Sequence, residues 1–295
     1  MPVSLMRFPR IVQKEIMENL DPFEIFDLSE CSKRARSVAR LKNMKEFRLE
    51  IHENSIDICG TNLETFAFAF DEAMPPNLDE VMPPLLEKIL DVFGYSQVRD
   101  FSSGDKSFKL FASISEILMQ RKCKIGTLYF TVENVEEKQL KHILDNLNIS
   151  DFFFLHTKFQ FSPNFDYQPI RFPELLCIAN SWFGLDQLLT AVKGCLEVKI
   201  TNSSFTIRDL NEFLGKWMAE EIQNMTAFSI SISSDDFLGD SPVLGMTPPI
   251  MGRLAWQRRG GIVGACIRYG HLIKSINGQE AVIQLIRDRF SVLFG

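Results

Sequence analysis

The sequence predicts a mixed α/β chain: a small all-helical module over residues 1–45, then a strand-helix repeat domain over 46–295 that ends in a β-hairpin. Three observations predict it. Short apolar stripes at helical spacing crowd the stretch from Phe8 to Val38. Segments of period two follow from Phe47. Between residues 106 and 233, strand-like and helix-like segments alternate at a spacing in the twenties.

The first stretch, "FPRIVQKEIMENLDPFEIFDLSECSKRARSV", reads as three helices. Ile11, Val12 and Ile16 form the stripe of the first, with Leu20 just past its end. Asp21 and Pro22 then restart the chain, Asp21 as an N-cap and Pro22 at the first helical position. Ile25, Phe26 and Leu28 line the second helix, and Ala35, Val38 and Ala39 the third, from Ser32. A segment this short cannot bury all of its apolar side chains, so a cover for them is expected.

After a boundary near residue 45, "FRLEIHE" and "LETFAFAF" alternate as half-buried strands, with "ENSIDICGTN" as a turn-rich connection. "DEAMPPNLDEVMPP" reads as a loop before the helix "LLEKILDVFGY". The helix "SFKLFASISEILMQR", the strand "IGTLYFTV" and the helix "EEKQLKHILDNL" come next, the last with Leu140, Ile143, Leu144 and Leu147 on one face. Strands starting at Phe152, Glu174 and Leu196 follow. "TIRDLNEFLGKWM" opens with a capping box, Thr206 with Asp209, and carries Leu210, Phe213, Leu214, Trp217 and Met218 on one stripe. "TAFSISIS" alternates strictly as a strand. This order is that of a leucine-rich-repeat-like solenoid with parallel strands on one wall, although no "LxxLxLxxN" recurs; an open parallel α/β sheet is the alternative. Residues 234–253 form a long Gly/Pro loop, and "LAWQRRGGIVGACIRYGHLIKSI" a hairpin turned at Gly260-Gly261.

Composition narrows the function. The 295 residues carry a net charge of −6 and 45% hydrophobic residues, enough apolar material for a core and too acidic overall for a non-specific grip on nucleic acid or anionic membrane. The absence of a leader-like apolar region and of a run long enough to span a bilayer points to an intracellular chain, cytoplasmic or nuclear. Six scattered cysteines fit reduced thiols, and the sequons at Asn148, Asn202 and Asn224 fit chance.

Chemistry-bearing motifs are missing. The four histidines fall in no HExxH and no zinc spacing with cysteine, no nucleophile signature surrounds a cysteine, and "RRGGIVGAC" keeps neither phosphate-loop spacing. The expectation is a non-enzyme without metal or cofactor. The run from Lys33 to Arg48 has seven basic residues against one Glu, which reads as a solvated helix face or, as the sharper alternative, a nucleic-acid contact.

"RFPRIVQKEIMENLDPFEIFDLSECSKRARSVARL" resembles an F-box: an opening Phe-Pro, a helix ending before "LDP", an Ile/Leu-rich second helix and then "S-K-R". The remainder resembles the type 2 F-box-associated domain of nematode F-box proteins through "DLNEFLGKWM", Asp209 to Met218. That family's late R-x-D-G-x-x-A-T-I segment is only partly kept, with Gly260 in place of the Asp and Gly264 and Ala265 where Ala and Thr are usual.

The resemblance implies a substrate-recognition subunit of a cullin-RING (SCF-type) ubiquitin ligase. Its F-box would dock on the Skp adaptor, and through it a cullin, while the following domain holds a target protein, with the loop 234–253 among the candidate target-binding segments. A protein-interaction scaffold outside any ligase is the alternative. Carried over by position, Phe8 and Pro9 would open the adaptor contact, and Ile11, Val12, Ile16, Leu20, Pro22, Ile25 and Leu28 would supply its apolar body.

Overall fold

The computed structural model describes residues 5–44, 46–70, 77–104, 107–157, 161–162, 165, 167–168, 170–179, 182–231, 241–252, 254–257 and 266–295. They form a mixed α/β protein of two compact units, one comprising 1–127 with 146–148 and the other 128–145 with 149–295. The chain passes from the first unit to the second within β5 (Lys124–Val132).

The first unit opens with a single 3-10 turn, Leu5–Arg7, then α1 (Arg10–Glu18), α2 (Pro22–Cys31) and α3 (Lys33–Ala39). Asp21 caps α2 in a full capping box: its carboxylate accepts from the Glu24 amide at 2.8 Å, and the Glu24 side chain accepts from the Asp21 amide at 3.0 Å. Ser32 caps α3 through the Ala35 amide at 3.1 Å. A sheet follows, ordered β3 (Thr65–Ala69), β2 (Ser55–Gly60), β1 (Phe47–Ile51), β4 (Gln97–Ser103), antiparallel except for the parallel β1–β4 pair. Two helices, α4 (Leu78–Phe93) and α5 (Phe108–Gln120), complete the unit.

Two expectations are corrected in this unit. The connection "ENSIDICGTN" contains β2, whose Ile56 and Ile58 are fully buried between β1 and β3. The helix expected to start after "VMPP" starts at Leu78 instead and runs through Pro83 and Pro84. The two prolines withhold amide donors from the carbonyls one turn earlier. Burial of Met82, Leu86, Ile89, Leu90 and Phe93 on one face outweighs that loss. Gly94 ends the helix at φ +66°, where its amide reaches the Leu90 carbonyl at 2.9 Å.

In the second unit α6 (Glu137–Asn146) buries Leu140, Ile143 and Leu144. Four strands, β6 (Asn148–Thr157), β7 (Leu175–Ala179), β8 (Glu197–Thr201) and β9 (Ala227–Ser231), pair in parallel and in chain order. Helix α7 (Leu185–Ala191) lies between β7 and β8, and α8 (Ile207–Met218) between β8 and β9. Leu155, Ile178, Ile200 and Ile230 stand in register and are buried. The leucine-rich-repeat-like expectation is not confirmed: the register positions advance by unequal steps, and the chain between β6 and β7 contains no helix among the described residues. "TAFSISIS" holds the expected strand, β9, and Ala227, Phe228, Ser229 and Ile230 in it are all buried.

Beyond β9 the sheet continues antiparallel through β13 (Arg289–Phe294), β12 (Glu280–Ile286), β11 (Cys266–Lys274) and β10 (Leu254–Gln257). The ending is therefore a four-strand antiparallel run, of which β10 and β11 are the expected hairpin; its turn at Gly260-Gly261, and Gly264 and Ala265, lie outside the described residues. Glu220, at φ +64° after α8, ties this run down: its carboxylate accepts from the Ser275 hydroxyl at 3.2 Å, from the Asn277 amide at 3.1 Å and from the Asn277 side chain.

Candidate functional site

The candidate surface is the start of the chain. Pro9 lacks an amide proton and sets φ near the helical value, so it serves as the N-cap of α1 and its carbonyl accepts from Val12 and Gln13 at 3.0 Å. Gln13 Nε2 and Arg34 Nη2 donate to the Leu5 and Met6 carbonyls at 3.3 and 2.9 Å, which fastens the opening turn to α1 and α3. At the other end of α1, Lys42 Nζ donates to the Glu18 carbonyl at 3.4 Å and to that of Leu20, satisfying acceptors a helix terminus leaves open.

This frame sorts the nine residues carried over as adaptor contacts. Pro9 is exposed, Ile11 is 77% exposed and Val12 37%. Phe8, Ile16, Leu20 and Leu28 are half-buried. Pro22 and Ile25 are buried, Ile25 completely, so they form the inside of the helical bundle in this structure. The inward residue of α1 is Met17, fully buried and absent from the sequence-derived set. It neighbours Ile16 on the helix, and a nine-residue stripe leaves two rotations open; only packing selects between them.

Part of the helical segment is covered by its own chain. Phe23 and Phe26 on α2 meet Phe68 edge-on at 4.9 and 5.0 Å between ring centroids, and Phe23 meets Phe66 at 5.7 Å, both partners lying on β3. Arg40 Nε donates to the Asp91 carbonyl at 2.9 Å, and Lys88 pairs with Glu30 at 2.8 Å, so α3 and α2 are both tied to α4. The face of α1 that carries Ile11 and Val12, with Pro9 beside it, stays exposed, as does part of Phe23.

The basic run from Lys33 to Arg48 is largely engaged inside the unit. Arg34, Arg40 and Lys42 donate to main-chain carbonyls and Arg36 pairs with Glu30 at 2.8 Å, while Lys45 lies outside the described residues. These four side chains thus take part in docking the helices.

The second unit offers a different surface. Phe153 and Leu155 point to the buried side of β6, and the alternate residues Phe152, Phe154 and His156 are half-buried on the other side. Tyr129, 43% exposed, packs edge-on against Phe152 at 5.2 Å and lies 6.1 Å from Phe154. Two strands on, in register with Phe154 through Cys177, Lys199 is half-buried. The motif "DLNEFLGKWM" is α8, where the Thr206–Asp209 capping box forms as expected and Leu210, Phe213, Leu214 and Trp217 are buried, with Met218 half-buried. It packs Phe213 against Phe228 of β9 at 4.8 Å. Of the loop 234–253, residues 241–252 are described, and Asn211 of α8 holds them: it donates to the Pro242 carbonyl at 3.0 Å and accepts from the Leu244 amide at 2.8 Å.

Cys31, Cys59, Cys123, Cys177 and Cys195 are free thiols. Burial pushes Cys59, Cys123 and Cys177 up and Cys195 up to about 12, which keeps these four protonated near neutral pH and unsuited to nucleophilic work. Among the described residues no group of three or more His, Cys, Asp or Glu could hold a metal ion, and no helix is long and apolar enough to cross a membrane.

Comparison with known families finds an F-box domain over residues 5–47 and an F-box associated domain over residues 141–230. The first match spans the opening turn and α1 to α3; the second runs from within α6 to β9 and includes the whole of α8. No curated protein matches the chain.

Proposed function

We propose that the chain is a non-catalytic substrate-recognition subunit of a cullin-RING ubiquitin ligase of the SCF type. The F-box binds the Skp adaptor, and through it the cullin, and the F-box associated region holds a target protein. One observation carries this reading: within the F-box match, α1 leaves Ile11 and Val12 in solvent beside Pro9 while its inner face is already filled by Met17. Apolar side chains grouped at the edge of a bundle are the expected seat of a partner. Ile11, Val12 and Pro9 make the contact, Phe8, Ile16 and Leu20 contribute their half-exposed edges, and Ile25 and Pro22 act by shaping the bundle.

The work done is proximity. Holding a target near the ligase's catalytic partner raises the effective concentration of its lysines, and no bond-making group of this chain is needed. For the target, the aromatic row Tyr129, Phe152 and Phe154 is the preferred face, since rigid aromatic side chains give large contact area at low entropic cost.

The test is co-purification of the full chain with the Skp adaptor, wild type against Ile11→Asp/Val12→Asp. Both side chains are exposed, so the double variant keeps its circular dichroism. The expected result is retention of wild type and at least a tenfold loss of affinity in the variant. A wild type that folds but does not bind, or a variant that binds equally, overturns the adaptor reading. Binding without ubiquitination of any captured target in the reconstituted ligase would favour a scaffold instead.

A further inference from the structure

The first unit holds a cavity of about 160 Å³ that no part of the adaptor reading uses. Its volume is close to the ~150 Å³ at which an apolar cavity admits a benzene-sized guest. The floor is apolar: Phe101 and Phe111 stack at 5.3 Å between centroids, and Leu110 and Ile114 of α5 lie beside them, all four buried. The rim is polar and comes from the β1–β2 turn, the end of β4 and the start of α5, with His52, Glu53, Ser102, Ser103 and Ser107 among its residues.

The serine hydroxyls of that rim have acceptors for their protons within reach. Ser102 Oγ lies 3.0 Å from His52 Nδ1 and 3.4 Å from the Ile51 carbonyl, Ser103 donates to the Gly104 carbonyl at 3.5 Å, and Ser107, which accepts from the Leu110 amide at 3.1 Å, donates to Asp79 Oδ1 at 2.9 Å. With their protons directed at these acceptors, the hydroxyls turn lone pairs to the cavity. Glu53 adds a carboxylate whose Oε1 is buried and has no hydrogen-bond partner among the described residues. Gly104 makes room for that carboxylate, since a Cβ there would sit 1.9 Å from Glu53 Oε2. An unpartnered carboxylate oxygen away from water is costly unless a donor reaches it.

We propose that this cavity, floored by Phe101 and Phe111 and rimmed by Glu53 and the three serines, binds a small organic ammonium ion with a benzene-sized apolar body. An ammonium group brings three donors and no acceptor, the complement of the Glu53 carboxylate and the serine lone pairs, and its positive charge is attracted both to the carboxylate and to aromatic faces. An anion meets Glu53, and a neutral arene leaves the rim unsatisfied.

The test is isothermal titration of the full chain, without adaptor, with benzylammonium and with its neutral isostere benzyl alcohol. Benzylammonium is expected to bind at least tenfold more tightly. Glu53→Gln, which keeps the shape and removes the charge, is expected to erase that preference while leaving benzyl alcohol affinity unchanged. Gly104→Ala, which displaces the same carboxylate sterically, is a second route to the same loss. Equal affinity for the two probes, no binding of either, or a preference that survives in both variants overturns the proposal; the last of these identifies diffuse attraction of an amine to an acidic protein.

Discussion

The Lys88 ammonium stands 2.8 Å from Glu30 Oε2, and Arg36 Nη2 lies 2.8 Å from the other oxygen of the same carboxylate. One side chain near the end of α2 thus joins α3 and α4. The hydrogen bond from Lys88 is the main reason the Glu30 carboxyl titrates below the usual carboxylate range, with the charges of Lys88 and Arg36 adding to it. A carboxylate whose pKa is depressed by folding stabilises the fold above its unfolded pKa and loses that contribution as pH falls through its folded value. Lys88→Ala is expected to move the Glu30 titration midpoint upward, read by NMR, and high salt to move it the same way because the pair is exposed. An unmoved midpoint would remove this pair from the account of how α2 is held.

Phe68 is the seat of α2. It receives Phe23 and Phe26 edge-on, and such contacts contribute about 0.5–1.5 kcal/mol each beyond area burial. Phe68→Ala is expected to destabilise the chain by about 1–3 kcal/mol in denaturant titration. Its companion Phe66→Ala, which loses only the Phe23 contact on that helix, should cost less. The reverse order would mean that the two rings do not act as the geometry implies.

Cys195 is fully buried, and burial pushes its thiol from an ordinary 9.0 up to about 12. A raised folded pKa favours the protonated form, so its contribution is present below the unfolded value and is lost as pH rises through the folded one. Between about pH 9 and 12 the wild type should lose stability more steeply than Cys195→Ala, by up to about 1.4 kcal/mol per pH unit for one proton. Parallel stability curves for the two proteins across that window would show that the thiol is not what titrates.

How much of this was legible in the sequence depends on whether local chemistry or packing decides each feature. The caps were legible because they are local: Asp21 with Glu24 and Thr206 with Asp209 satisfy amides three residues away. Strand β2 was not, since only Ile56 and Ile58 mark its buried face in a stretch rich in turn formers. The start of α4 was missed because Pro83 and Pro84 speak against a helix locally, and burial of Met82 and Leu86 overrides them. The site shows the same division. That Phe8 to Leu28 is amphipathic could be read directly, but which residues face outward could not. Pro22 and Ile25 turned inward and Ile11 outward through the rotation of two short helices. The cavity was invisible for a plainer reason: Glu53, Phe101 and Ser107 come from three separate elements.

The seating of Phe23 and Phe26 on β3 also bears on how such chains can diversify. The matched F-box ends at residue 47, yet its second helix finishes its packing on Phe66 and Phe68 and its third on the carbonyl of Asp91. A genetic exchange that swapped only the helical opening would inherit a foreign seat, with phenylalanines bared on both sides of the joint. The packing unit is therefore longer than the motif that identifies it, and takes in β3 and the end of α4.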